Sequence, residues 1–132
     1  MTTTIDTTVA YQEHVLERRR AFAEYALTDD DLVAHSCTGQ WHRIAPDGIV
    51  TSCYVGAMSL FLGIEPSWSD GVTAKGQRIG YLMDWPLLQY GYGLDDYLIN
   101  ILVERYDSGS SVEQMNELLF NMAVYDRDAM PV

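Results

Sequence analysis

The chain has 132 residues, 48% of them hydrophobic, which is enough for a single domain that buries its own core without disulfides or metals. It carries 19 acidic residues against 8 basic ones, a formal net charge of −11. This balance argues against direct binding of nucleic acid or anionic lipid, because neutralising phosphates requires clustered Lys or Arg. Two interpretations of the acidity stay open: simple solubility, or an anionic surface that mimics nucleic acid and occupies a basic partner.

Targeting signals and cysteine usage favour a cytoplasmic protein. Residues 1–12 have neither the basic start nor the apolar run of a signal peptide, and the longest later apolar stretch, 57–64, is too short to span a bilayer. Cys37 and Cys53 are the only cysteines, and without an export signal they are typical of reduced thiols. We therefore expect no disulfide and no membrane partner.

The N-terminal part predicts a tail and a long helix. Residues 1–8 are threonine-rich and lack an apolar period, so we expect a flexible tail there, a globular domain over 9–126 and a second tail over 127–132. Thr8 is the predicted N-cap of a helix that runs to about Ala26. The arginines at 18–20 cover nearly a full turn of this helix and are expected to form a solvated, salt-bridging face. The apolar side of the helix consists of Tyr11, Val15, Phe22 and Ala26.

A short acidic helix is predicted next. Thr28 precedes three aspartates, a pattern typical of the capped first turn of a short helix that ends near His35. A calcium loop would need further oxygen ligands, which Leu32 and Val33 cannot supply. The aspartates therefore indicate a helix start and not a metal site.

A hairpin and a buried helix follow. The Pro-Asp-Gly segment at 46–48 is typical of a tight turn between strands near 40–45 and 49–52. Ser52 or Thr51 is expected to cap a helix that begins around Cys53. That helix is apolar nearly all round, so we expect it to be the central buried element.

The segment from 63 to 77 is rich in turn-forming residues and predicts a loop. Trp68 within it is either folded back as a lid on the core or held out as a binding anchor. A helix is predicted from about Ile79, with a break before Pro86 and a second piece, capped by Asp84, that runs through Tyr90.

The C-terminal part predicts two antiparallel helices joined by a short turn. The Asp-Ser-Gly segment at 107–109 stops the first, and Ser110 with Glu113 forms a predicted capping box for the second. Residues at helical spacing in the first are Leu94, Tyr97, Leu98, Ile101, Leu102 and Arg105. The apolar residues expected inside the second are Met115, Leu118, Leu119 and Met122.

The clearest hypothesis for an enzyme is a Cys–His pair. Cys53 at a helix N-terminus gains thiolate stabilisation, and His42 lies on the preceding strand, roughly opposite 51–53. The neighbouring Tyr54, Val55 and Ala57 favour the other interpretation, a small core residue. We therefore treat Cys53 and His42 as candidate catalytic residues without favouring catalysis.

Other site chemistry is not indicated. The histidines and cysteines show no spacing typical of a metal site, and no glycine-rich loop is followed by a lysine, so we expect neither a metal nor a cofactor. Asp95 and Asp96 point to different sides of a helix, which is typical of a first-turn charge preference.

Aromatic composition indicates an interaction surface. Nine tyrosines and three tryptophans against three phenylalanines favour rings with a polar edge, which are enriched at interfaces and also occupy half-buried sites. A cluster at one end of the domain, together with nearby carboxylates, is the predicted partner-binding surface. Its residues are Trp68, Trp85, Tyr90, Tyr92, Asp95 and Asp96.

Three segments, "GQW", "PDGIVTSCYVGAM" and "YDSGSSVEQMNELLFNMA", occur in this order. They resemble a family of small uncharacterised proteins in actinobacteria and their phages, which combine a Trp/Gly segment, Asp-Gly-x-x-Cys-x-x-Gly-Ala and a closing helix. The resemblance covers 39–62 and 100–123. Here the cysteine lies five residues beyond Gly48, and Tyr106-Asp107 replaces an Asn-Asp pair. The resemblance implies the architecture and a phage or actinobacterial origin, and it implies no activity.

The sequence thus predicts an α+β fold: a predominantly helical single domain with one small β-hairpin preceding a buried central helix. We expect a non-enzymatic acidic binding protein, a phage-encoded accessory factor that engages a host protein. Two alternatives stay open, a thiol-dependent enzyme that uses Cys53 with His42, and a virion structural or assembly protein.

Overall fold

The structure, a computed structural model, describes residues 3–125, with side chains described from residue 9 onward. It confirms a predominantly helical α+β fold. The helices are α1 (Thr3–Thr28), α2 (Asp30–Val33), α3 (Tyr54–Phe61), α4 (Trp85–Tyr92), α5 (Asp96–Asp107) and α6 (Val112–Asn121). The strands are β1 (His42–Ile44), β2 (Val50–Ser52), β3 (Ser67–Trp68) and β4 (Arg78–Tyr81). Over the described residues, no helix combines the length and apolarity needed to cross a membrane.

Helix α1 begins at Thr3, so Thr8 lies inside it and is not an N-cap, and residues 3–8 are helical where a tail was expected. The tail predicted at 127–132 lies outside the described residues. The predicted apolar face is correct, since Val15, Phe22 and Ala26 are buried in the core.

The arginine cluster of α1 is not the solvated face that was expected. Arg20 is exposed, but Arg19 is fully buried. Its guanidinium donates to five backbone carbonyls, which belong to Tyr92, Gly93, Leu119, Met122 and Ala123. These carbonyls lie at the C-terminal ends of α4 and α6, where unpaired acceptors and the negative end of the helix dipole meet a cation favourably. Arg19 therefore joins three helices.

The sheet is four-stranded and antiparallel, in the order β2-β1-β4-β3. The predicted hairpin forms its first half, with His42 opposite Ser52. The helix predicted from Ile79 is wrong: this segment is β4, and β3 lies inside the predicted loop. Gly80 explains the difference, because a Cβ there would lie 2.7 Å from both His42 Cβ and the Trp68 ring. Close packing across the sheet thus determines the secondary structure of this segment, which is too short to show a hydrophobic period.

Helix α3 is the buried central element, as predicted. Residues 54–59 are buried, whereas Leu60 and Phe61 at its end are 39% and 41% exposed. The N-cap is Cys53 itself and not Ser52 or Thr51, since its Sγ accepts the Gly56 N–H at 3.3 Å. The thiol thereby satisfies one of the free amide donors of the first turn.

Two further predicted caps move by one residue. Asp29 and not Thr28 caps α2, and Ser111 with Gln114, not Ser110 with Glu113, forms the capping box of α6. Asp84 caps α4 as predicted. In each corrected case two adjacent residues have side chains able to cap a helix, and helix ends read from sequence are uncertain by one or two residues.

The buried face of α5 is rotated from the predicted one. Tyr97 is 71% exposed, and the buried residues are Ile99, Leu102 and Tyr106. Tyr106 donates its hydroxyl to Leu32 O at 2.6 Å, and Tyr54 donates to Asn116 Oδ1 at 2.8 Å. Buried tyrosines therefore link separate elements across the core.

Candidate functional site

A cleft of about 300 Å³ opens between the sheet and α5. Its lining is mostly apolar and contains two aromatic rings, one thiol and one carboxylate. The lining residues are Gly39, Gln40, Trp41, Cys53, Ile79, Gly80, Tyr81, Val103 and Asp107. A volume of this size is at the lower end of that of small-ligand sites, so it suits a single side chain or a small molecule.

The alternation of side chains along strands explains why the two aromatic residues, Trp41 and Tyr81, form one wall of the cleft, called here the aromatic wall. Ile79 pairs with Arg43, so Trp41, Ile79 and Tyr81 project from one face of the sheet. Helix α5 supplies Val103 and Asp107, which are four residues apart and share a helix face. The Asp107 Oδ1 accepts the Gly39 N–H at 3.1 Å, which fixes the loop before β1 against α5.

Cys53 lies in this lining but is only 4% exposed. Burial raises the pKa of its thiol to about 12, and the hydrogen bond from Gly56 only partly offsets this. Cys37 is also buried, and burial likewise raises the pKa of its thiol. Both cysteines are free thiols. At neutral pH Cys53 is therefore a protonated, weakly nucleophilic group.

His42 is fully buried on the opposite face of the sheet. Its Nδ1 lies 2.7 Å from Ser52 Oγ, and its Nε2 is buried without a hydrogen-bond partner among the described residues. Burial lowers the pKa of His42 to about 4, so the imidazole is neutral at pH 7. The predicted position opposite 51–53 is correct, yet neither ring nitrogen is paired with the Cys53 thiol. The contacts do not form the Cys–His pair that catalysis would need.

Two of the predicted partner-binding residues lie beside the cleft. Trp85 packs edge-to-face against Trp41, with ring centroids 6.1 Å apart. Its indole N–H donates to Asp96 Oδ1 at 2.6 Å, and the same oxygen accepts the Gln89 side chain at 2.8 Å. Asp96 thus orients the tryptophan that supports the cleft wall. Asp95 caps α5 through the Leu98 N–H, in agreement with a first-turn role.

The other predicted residues are dispersed. Trp68 is half-buried over Gly80 on the sheet face that holds His42, and the lid interpretation of this residue stays a prediction. Tyr90 stacks on Tyr11 of α1, with ring centroids 4.8 Å apart. Tyr92 is fully buried and donates to Met58 O at 2.7 Å, so its assignment to an outer surface is wrong. The six residues therefore do not form one patch.

Of the cleft residues, only Cys53 was identified as a site residue from the sequence, and the side chains that were missed include Trp41, Tyr81, Val103 and Asp107. Trp41 had a signal, because it stands in the "GQW" segment. Tyr81 was hidden in a predicted helix, and Asp107 was assigned to a helix stop. Across residues 3–125, no three His, Cys, Asp or Glu side chains are placed to hold a metal ion.

Comparison with known proteins found no significant match to a family model, a curated protein or a solved structure.

Proposed function

We propose that this chain is a non-enzymatic binding protein that engages a basic protein partner. The observation that carries the proposal is the state of the cleft: its thiol is protonated and accepts the Gly56 N–H as a helix cap, and the candidate imidazole, His42, is hydrogen-bonded to Ser52. A concave apolar site without a reactive group is suited to binding. A partner's anchor side chain, inserted among Trp41, Tyr81 and Val103, would be desolvated there.

The charge of the chain supports a basic partner. A formal net charge of −11 attracts cationic surfaces over a distance of about one Debye length and accelerates their association. The exposed carboxylate of Asp107 lies at the cleft itself. Attraction over the whole surface and capture in one cleft would therefore act on the same partner.

The resemblance to actinobacterial and phage proteins supports the biological setting of this proposal. A phage-encoded accessory factor would act on a protein of the host cell, in the host cytoplasm. Two buried free thiols agree with a reducing compartment.

A pull-down from an actinobacterial lysate tests the proposal. Val103→Phe fills the cleft, and Tyr81→Ala removes a side chain that is 54% exposed and contributes little to the core. Val33→Phe, on an exposed site of α2, is the matched control. We expect the wild type and Val33→Phe to retain the same protein, both cleft variants to lose it, and raised salt to release it.

Two outcomes would contradict the proposal. Either no protein is retained by the wild type, or Val103→Phe and Tyr81→Ala retain it as well as the wild type does. Circular dichroism of each variant separates loss of binding from loss of folding. Copurification of the chain with phage particles would instead support the virion alternative.

Thiol labelling tests the enzyme alternative separately. We expect Cys53 to react with a thiol reagent far more slowly in the native protein than in urea, since its pKa is raised to about 12. Native labelling at the rate of the denatured chain would favour the thiol-dependent enzyme.

A further inference from the structure

We propose that the cleft between the sheet and α5 receives an arginine side chain of the protein partner, with Asp107 as the ion-pairing group. This inference rests on the proposed function and specifies the chemistry of its anchor residue. It is carried by three features of the lining: two aromatic rings, one carboxylate at the opening and a volume suited to one side chain.

The aromatic wall suits a guanidinium. Trp41, the residue before β1, and Tyr81, at the end of the adjacent antiparallel strand β4, line the same cleft. Aromatic faces attract cations, and the planar guanidinium stacks on them more favourably than a compact ammonium. The Trp41 ring packs edge-to-face against Trp85, which Asp96 holds through its indole N–H. The wall is therefore preorganised for stacking.

Asp107 supplies the negative charge that the two aromatic rings lack. Asp107 uses Oδ1 to accept the Gly39 amide, which fixes the orientation of the carboxylate at the cleft. The basic side chain on this sheet face, Arg43, donates its Nε–H to Gln40 and not to Asp107. A guanidinium entering the cleft would thus meet an oriented carboxylate, with which it can form charge-assisted hydrogen bonds.

The apolar floor suits the aliphatic part of an arginine. Ile79, Val103 and the Cys53 thiol provide no charged group below the opening. Arginine buries its methylene stem against apolar surface while its head group stays near a polar rim. The distribution of apolar floor, aromatic wall and anionic rim matches this side chain from stem to head.

Nuclear magnetic resonance titration with blocked amino acids tests the inference. The probes are N-acetyl-arginine amide, the neutral isostere N-acetyl-citrulline amide, and N-acetyl-lysine amide. We expect the arginine probe to shift the Trp41 indole N–H and the Tyr81 and Val103 amides. Citrulline should bind about threefold more weakly or worse, in line with the strength of a partly exposed ion pair.

Asp107→Asn provides the matched variant, since its amide oxygen still accepts the Gly39 N–H while the charge is lost. We expect this variant to bind arginine and citrulline alike. Asp70→Asn, at an exposed loop position outside the cleft, should keep the preference for arginine. Equal binding of arginine and citrulline by the wild type, stronger binding of lysine, or shifts confined to residues outside the cleft would each overturn the inference.

The pull-down separates this inference from the proposed function. A partner retained equally by the wild type and Asp107→Asn, but lost by Val103→Phe, would overturn the arginine assignment and leave a binding protein. Selective binding of the arginine probe with no protein captured would support the site and contradict the proposed protein partner.

Discussion

Arg19 carries a charge into the core, and its partners among the described residues are backbone carbonyls. Burial lowers the pKa of its guanidinium from 12.5 to about 10, so the side chain stays protonated at neutral pH. In Arg19→Met, the five backbone carbonyls that it serves lose their donor. We expect the free energy of unfolding, measured by urea titration, to fall by about 3 kcal/mol or more, because unsatisfied buried acceptors are costly.

The adjacent arginine is the natural control for this prediction. Arg20 is exposed on the same helix turn, so Arg20→Met should change the free energy of unfolding by less than about 0.5 kcal/mol. Similar losses in both variants would show that the carbonyl cluster of Arg19 does not hold the helices together.

His42 gives stability a pH dependence with a definite sign. Burial lowers the pKa of His42 from 6.5 in the unfolded chain to about 4, so acid protonates the unfolded state first. The stabilisation is complete above pH 6.5 and is lost as the pH falls toward 4, and it amounts to about 3 kcal/mol at most. We expect His42→Gln to lose less stability than the wild type between pH 7 and pH 4 in urea titrations.

The exposed His14 allows this effect to be distinguished from general acid denaturation, since the carboxylates also titrate in this range. His14→Gln should show the pH dependence of the wild type. If the free energy of unfolding of His42→Gln falls with pH as steeply as that of the wild type, the buried imidazole takes up its proton equally in the folded and unfolded chains.

At the scale of elements, α3 and the backbone of Trp41, the residue before β1, approach so closely that only glycine fits between them. A Cβ on Gly56 would lie 2.1 Å from Trp41 O, a backbone atom that is itself hydrogen-bonded to the Cys53 N–H. We expect Gly56→Ala to lower the free energy of unfolding by about 3 kcal/mol, the upper range of ordinary overpacking.

Gly71→Ala tests whether this loss comes from the close approach. Gly71 is exposed and has no atom within 4 Å of an added Cβ, so the substitution should be neutral or stabilise by a few tenths of a kcal/mol. If Gly56→Ala is as stable as Gly71→Ala, α3 packs against the Trp41 backbone less closely than the structure shows.

Elements with strong local signals were predictable from the sequence, and elements made by pairing were not. The turn at 46–48 and the apolar run after Cys53 each contain their own physical cause, so the β1-β2 hairpin and α3 were correct. Strand β4 contains only Arg, Ile, Gly and Tyr, and it becomes a strand because β1 offers an unpaired edge. That pairing links residues 34 or more positions apart, and no local sequence pattern indicates it.

The candidate site was missed for the same reason. Cys53 was identified and does line the cleft, but its partners Tyr81 and Asp107 reach it only through the β1-β4 pairing and the docking of α5. The predicted aromatic surface failed at Tyr92, because burial of a tyrosine with a satisfied hydroxyl looks the same in sequence as exposure. The chemistry of each side chain could be inferred from the sequence, whereas its neighbours in the folded chain could not.

For the whole molecule, the excess of negative charge predicts a response to salt. A formal net charge of −11 makes the folded state repel itself, and added salt shortens the Debye length from about 10 Å at 0.1 M to about 3 Å at 1 M. We expect the thermal unfolding temperature to rise with NaCl between these concentrations. A falling temperature would indicate that attractive ion pairs outweigh the repulsion.

During synthesis on a ribosome, Arg19 emerges about a hundred residues before the carbonyls of Leu119 and Met122 that will accept its hydrogen bonds. Until α6 has left the exit tunnel, the guanidinium keeps its water shell, and α1 has only part of its final neighbours. A nascent chain interrupted before α6 would leave the first helix open to proteases and chaperones. Completion of α6 therefore gives Arg19 its remaining partners.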